Sequence, residues 1–117
     1  MPLKLPAATT LGRRIRAARL AKKWTLAQLG QQLFGEDDPN TAAPRMSRYE
    51  RGLSTPNVKV LEKLAELLDL PPAYFLARPA ILADALLVLA ELSPAGKKQA
   101  LKLIKKIAAE ERKNEEE

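Results

Sequence analysis

The sequence predicts an all-α protein: a five-helix bundle over 11–78 followed by a C-terminal helical hairpin over 79–114. Three observations carry this. Apolar residues recur at three- and four-residue spacing in separate stretches, helix-start and helix-stop residues punctuate those stretches, and 117 residues suffice for one small core plus an appendage. Residues 1–10, with two prolines and no period, read as a flexible arm, and 115–117 as a frayed end.

The first helix starts near Leu11, where Leu11, Ile15 and Ala18 form an apolar stripe flanked by Arg13, Arg14 and Arg16. Thr25-Leu26-Ala27-Gln28 then reads as a capping box, in which the Thr25 hydroxyl accepts from the third-position amide and Gln28 reaches back to the cap. Trp24 and Leu29 flank that cap at the spacing of a hydrophobic staple, which makes Trp24 a core residue. Gly30 costs about 1 kcal/mol relative to Ala inside a helix, a cost that close approach of another helix would justify. The turn formers from Phe34 to Asn40 end the second helix.

A short third helix is expected from Thr41 or Ala43 to Arg51, because Pro44 fits a first turn and Gly52 supplies a left-handed stop. Met46, Tyr49 and Glu50 share its inner side; Pro44, Ser47, Arg48 and Arg51 share the outer one. Asn57 caps a fourth, strongly apolar helix carrying Val60, Leu61, Leu64, Leu67 and Leu68, and a single turn through Tyr74, Phe75 and Leu76 plugs the bundle.

Pro79 marks the boundary of the hairpin. Between Ala80 and Leu92 only Asp84 and Glu91 are charged, so that helix needs burial on several sides. Ser93-Pro94 starts the last helix, with Ala100, Leu103, Ile104, Ile107 and Ala108 facing in and Lys97, Lys98, Lys102, Lys105 and Lys106 outside.

Composition removes whole classes of function. With no Cys and no His there is no thiol nucleophile, imidazole acid-base chemistry, disulfide or ordinary zinc site. The carboxylates lie scattered among solvated charges, so no enzyme activity, cofactor or metal is expected; Glu36, Asp37, Asp38 and Asn40 lack the spacing of a calcium loop. The longest apolar run, Ala85 to Ala90, falls far short of the roughly 18 residues of a membrane span. No apolar segment follows Arg13-Arg14, which excludes a twin-arginine signal, and a cytoplasmic location is expected.

The formal charge of +6 is all in one half: residues 1–57 carry ten bases and four acids, and 58–117 balance at ten against ten. A basic half joined to a neutral apolar half points to a polyanion-binding surface carried on an association module.

Thr25 to Leu33, the run Met46-Ser47-Arg48-Tyr49-Glu50-Arg51-Gly52, and the following Pro56 and Asn57 together resemble the lambda-repressor and Cro type of helix-turn-helix regulator, the XRE-type family, over roughly Leu11 to Leu76. The resemblance implies that Arg19 and Glu50 form a structural ion pair locking the recognition helix to the first helix. It further implies that Ala43, Pro44, Ser47 and Arg48 face bases, and that Thr25, Gln28, Thr41, Arg45 and Arg51 face phosphates or flanking positions. Arg48 is the best candidate reader, since a guanidinium forks onto O6 and N7 of guanine. Two features depart from the family pattern: Leu26 stands where Gln is common, and 17 positions separate Leu29 from Met46, which lengthens the turn into a loop. The loop acids Glu36, Asp37 and Asp38 are expected to project away from a polyanion.

The expected function is sequence-specific double-stranded DNA binding in transcription regulation, as a repressor that dimerises through 79–114 and reads an inverted repeat. The alternative is an antitoxin-type protein whose C-terminal helices bind a toxin while the head autoregulates transcription.

Overall fold

The computed structural model describes residues 9–35 and 39–116; the expected arm up to residue 8, the loop acids Glu36, Asp37 and Asp38, and Glu117 lie outside the described residues. The element order is α1 (Thr10–Ala21), α2 (Leu26–Phe34), α3 (Pro39–Glu50), α4 (Val58–Leu68), a 3-10 turn (Pro72–Phe75), α5 (Ala80–Glu91) and α6 (Pro94–Glu116). No strand occurs among the described residues.

Local chemistry sets most boundaries. Thr9 caps α1 by accepting from the Gly12 amide at 3.0 Å, so the helix begins one residue before Leu11. The capping box at α2 is complete, with Gln28 N–H donating to the Thr25 hydroxyl at 3.0 Å and Thr25 N–H donating to Gln28 Oε1 at 2.8 Å. Asn57 accepts from the Val60 amide at the start of α4, and Ser93 accepts from the Gly96 amide at the start of α6. At the end of α3, Gly52 takes φ +75° and the Leu53 amide donates to the Arg48 carbonyl at 2.9 Å, closing the helix on a left-handed residue.

The third helix differs from the sequence expectation. It opens at Pro39, where a missing N–H costs nothing because the first turn does not use it, and runs for 12 residues. Pro44 therefore sits inside the helix rather than in its first turn. Its side chain is exposed, so the gap in the hydrogen-bond ladder faces solvent and not the core.

Ile15, Leu29, Leu33, Met46, Leu61, Leu64, Leu68 and Phe75 form the core of a bundle built from α1 to α4 and the 3-10 turn. Trp24 and Tyr49 pack against this cluster from its edge, half-buried rather than within it. Ala42, which lacks a long side chain to announce it, is fully buried. Arg14, read from sequence as one of the bases flanking the apolar stripe, ties α1 to the plug: its guanidinium donates to the Tyr74 carbonyl at 2.6 Å. Lys22 pairs with Asp69, joining the ends of α1 and α4.

Beyond the cis Arg78–Pro79 bond the packing thins. In α5 only Ala83 is buried, while Ile81 and Val88 remain 72% and 59% exposed, so the apolar surface that composition assigned to burial is largely uncovered in the single chain. Helix α6 continues through Glu116, two residues beyond the expected hairpin, and every residue from 101 to 116 is exposed. Its expected inward stripe, including Leu103, Ile104 and Ile107, faces solvent. The radius of gyration of 18.1 Å and extents of 60 × 37 × 23 Å reflect this projecting helix, since a compact domain of about 100 residues measures roughly 13 Å.

Candidate nucleic-acid interface

Helices α2 and α3 meet where both side chains are minimal. A Cβ on Gly30 would lie 2.8 Å from both the Cβ and the carbonyl oxygen of Ala42, so α2 approaches α3 as closely as a bare α-carbon permits. On its other side α3 meets α1 in the same way: a Cβ on Gly12 would lie 2.3 Å from the Glu50 carbonyl oxygen. Sequence periodicity singled out Gly30 but passed over Gly12, which looks like an ordinary helix-start residue.

The second restraint on α3 is ionic. Arg19 Nε and Nη2 donate to the two carboxylate oxygens of Glu50 at 2.7 and 3.0 Å, and Arg19 Nη1 donates to the Trp24 carbonyl at 2.8 Å. Both residues are buried, at 8% and 5% exposure. A bidentate pair with a third hydrogen bond fixes the rotation of α3 about its own axis, because removing either partner strands a buried charge.

With Ala42, Met46 and Glu50 turned inward, the opposite face of α3 is presented to solvent. Pro44 and Arg48 are exposed on it, and Ala43 and Ser47 are half-buried beside them. Thr41 is exposed one turn earlier. Arg45 is also exposed, but its guanidinium stacks on the Phe34 ring, 3.7 Å from the centroid, in a contact that sequence spacing did not suggest. Arg51 is less open: its Nε is enclosed and makes no hydrogen bond among the described residues, so an anion reaches it only through its terminal nitrogens.

Thr25 and Gln28 lie exposed at the start of α2. Their capping bonds use the Thr25 hydroxyl oxygen and the Gln28 carbonyl oxygen as acceptors, which leaves the O–H and NH₂ groups as donors at a helix end that favours anions. Gln31 and Gln32, not singled out from sequence, continue this polar face and line a shallow depression with Gln28. The earlier start of α3 adds Asn40, exposed in the first turn, to the presented residues; Pro39, read from sequence as part of a turn, was the signal that could have placed it on the helix.

A closely packed pair of helices, the second held with one face outward, defines a helix-turn-helix protein. The chain belongs to the helix-turn-helix domain family, whose model matches residues 10–74, and is a helix-turn-helix transcriptional regulator in class. Among solved structures it is similar to the transcriptional regulator BswR, at 34% identity and a TM-score of 0.75, over 84% of this chain and 95% of that one. No curated protein matches the chain. Among the described residues no helix is long and apolar enough to cross a membrane.

Proposed function

We propose that this chain is a sequence-specific, double-stranded DNA-binding repressor of the XRE type, cytoplasmic and acting as a homodimer through 79–114. In this reading α3 enters the major groove, with Ala43, Pro44, Ser47 and Arg48 toward base edges. Arg48 carries hydrogen-bond readout, while Ala43 and Pro44 offer apolar contact to a thymine methyl. Thr25, Gln28, Thr41, Arg45 and Arg51 hold phosphates or flanking positions, and Asn40 joins them at the first turn of α3.

The supporting observation is that exposed Arg48 stands on a helix fixed to α1 by two independent restraints, the Arg19–Glu50 pair and the Gly12 contact. A pre-positioned helix binds without first losing conformational freedom. Two such helices on a symmetric dimer address half-sites about 34 Å apart, or a multiple of that. Occupancy of the site blocks transcription, and affinity falls with salt as phosphate contacts release counterions.

Selection of bound duplexes from a random pool at fixed salt tests the reading. An inverted-repeat consensus is the expected result; unrelated recovered sequences would reject specific regulation. The bare apolar surface of α5 and α6 also suits a second reading, in which a different chain such as a toxin covers it. A purified protein that is monomeric alone and becomes soluble at high concentration only with another chain would favour that reading.

A further inference from the structure

We infer that α6 self-associates with the α6 of a second copy in antiparallel orientation, crossing within one turn of Ile104; this rests on the homodimer reading above and specifies its geometry. Lys97, Leu101, Ile104, Ala108 and Glu111 recur at alternating four- and three-residue steps along one face of α6. The three central residues are exposed, so this stretch of the face is left uncovered by the described residues of the single chain. A base closes the stripe at one end and an acid closes it at the other, both seven residues from Ile104.

That symmetry decides the orientation. Antiparallel pairing about Ile104 brings Lys97 of each copy to Glu111 of the other and places Leu101 and Ala108 in neighbouring layers. Parallel pairing in register would set Lys97 on Lys97 and Glu111 on Glu111, like charges in contact at both ends. The polar faces agree with the stripe. Five lysines (Lys97, Lys98, Lys102, Lys105, Lys106) stand between 97 and 106 without an acid, and Glu110, Glu111, Glu115 and Glu116 outnumber Arg112 and Lys113 in the last two turns.

This distribution opposes the dipole of α6 itself. A helix favours acids at its N-terminal end and bases at its C-terminal end; α6 has no acid in its first turn, and its C-terminal turns carry more acids than bases despite Lys113 in the last one. An antiparallel partner sets against each end a net charge and a dipole of opposite sign. At its start the stripe emerges from the cleft that Lys97 shares with Glu66 of α4 and with Leu86 and Leu89 of α5. The remaining length of α6 stands free beyond that cleft for the second copy.

The chain has no Cys, so single variants Lys98→Cys, Lys105→Cys and Arg112→Cys each take one nitroxide label per copy at an exposed position. Dipolar distances and sedimentation mass are measured on the full-length protein. Antiparallel pairing separates equivalent residues along the axis by about 3 Å more for each residue away from the crossing, twice the ~1.5 Å helical rise. The expected result is a dimer mass with the shortest distance at 105 and longer distances at both 98 and 112. Three equal distances in a dimer would establish parallel pairing and overturn this inference while leaving the homodimer reading intact. A dimer with no measurable distance at any of the three sites would do the same by placing the interface elsewhere. A monomeric mass would overturn the homodimer reading itself. As a second variant, Lys97→Glu is expected to weaken the dimer and Lys97→Glu with Glu111→Lys to restore it; failure of the double exchange would count against the inference.

Discussion

The Arg19 guanidinium holds both carboxylate oxygens of Glu50, at 2.7 and 3.0 Å, across the seam between α1 and α3. Because the pair is buried, its two halves are not separable. Glu50→Ala or Arg19→Ala leaves one charge without its partner and is expected to cost about 3–5 kcal/mol, whereas replacing both by apolar residues of similar volume should be near neutral. Urea unfolding of the two single variants and of Arg19→Met with Glu50→Leu checks this. A double variant that costs as much as the two single ones added together would mean that the pair does not act as a unit.

The two helix contacts made through glycine should respond differently to alanine. At Gly12 the nearest atoms to the added Cβ are backbone, the Glu50 and Tyr49 carbonyl oxygens at 2.3 and 2.8 Å, so Gly12→Ala must displace α3. Its cost should exceed the ~1 kcal/mol gained in helix propensity by about 1–3 kcal/mol, and duplex binding should fall with it. At Gly30 the first obstacle is the Ala42 Cβ at 2.8 Å, with the Ala42 carbonyl equally close. Gly30→Ala should therefore be only partly rescued by Ala42→Gly, as read by thermal unfolding.

Arg45 and Arg48 lie three residues apart on α3 but differ in what holds them. Arg48→Ala is expected to lose about 1–3 kcal/mol on the selected duplex and little on unrelated DNA, because base contacts specify. Arg45 is held against Phe34 by stacking, and Arg45→Ala should weaken all duplexes alike and reduce the slope of log affinity against log salt by about 1. Phe34→Leu removes the stacking surface and should mimic Arg45→Ala in part. Competition binding at two salt concentrations separates the two behaviours.

Lys23 follows α1 in a left-handed conformation, φ +60°, and its neighbour Trp24 donates its amide to the Arg19 carbonyl at 3.2 Å. A residue with a Cβ pays about 1–2 kcal/mol for that conformation, and a glycine does not. Lys23→Gly is expected to raise stability by up to about 1 kcal/mol after the unfolded-chain entropy of glycine is subtracted, while Lys23→Ala should leave it nearly unchanged. The midpoint of urea unfolding measures both.

By itself the sequence determined what depends on a few adjacent residues. The capping box at Thr25 and Gln28, the caps at Asn57 and Ser93, and the left-handed stop at Gly52 follow from side-chain chemistry within one turn, and they place helix ends almost wherever they occur. Helical spacing likewise marks Ile15, Leu29, Met46 and Leu64 for the core.

Where two helices touch was decided only in three dimensions. The start of α3 at Pro39 puts Pro44 inside the helix, with its ring exposed while Ala42 and Met46 are buried on the opposite face. The need for Gly12, the stacking of Arg45 on Phe34 and the tie from Arg14 to Tyr74 depend on chain segments up to 60 residues apart, whose approach no local pattern encodes. The last helix shows the converse. Its apolar stripe is written in the sequence, yet Leu103, Ile104 and Ile107 remain exposed among the described residues of one copy, since periodicity specifies a face to be buried and only tertiary or quaternary packing supplies the surface that buries it.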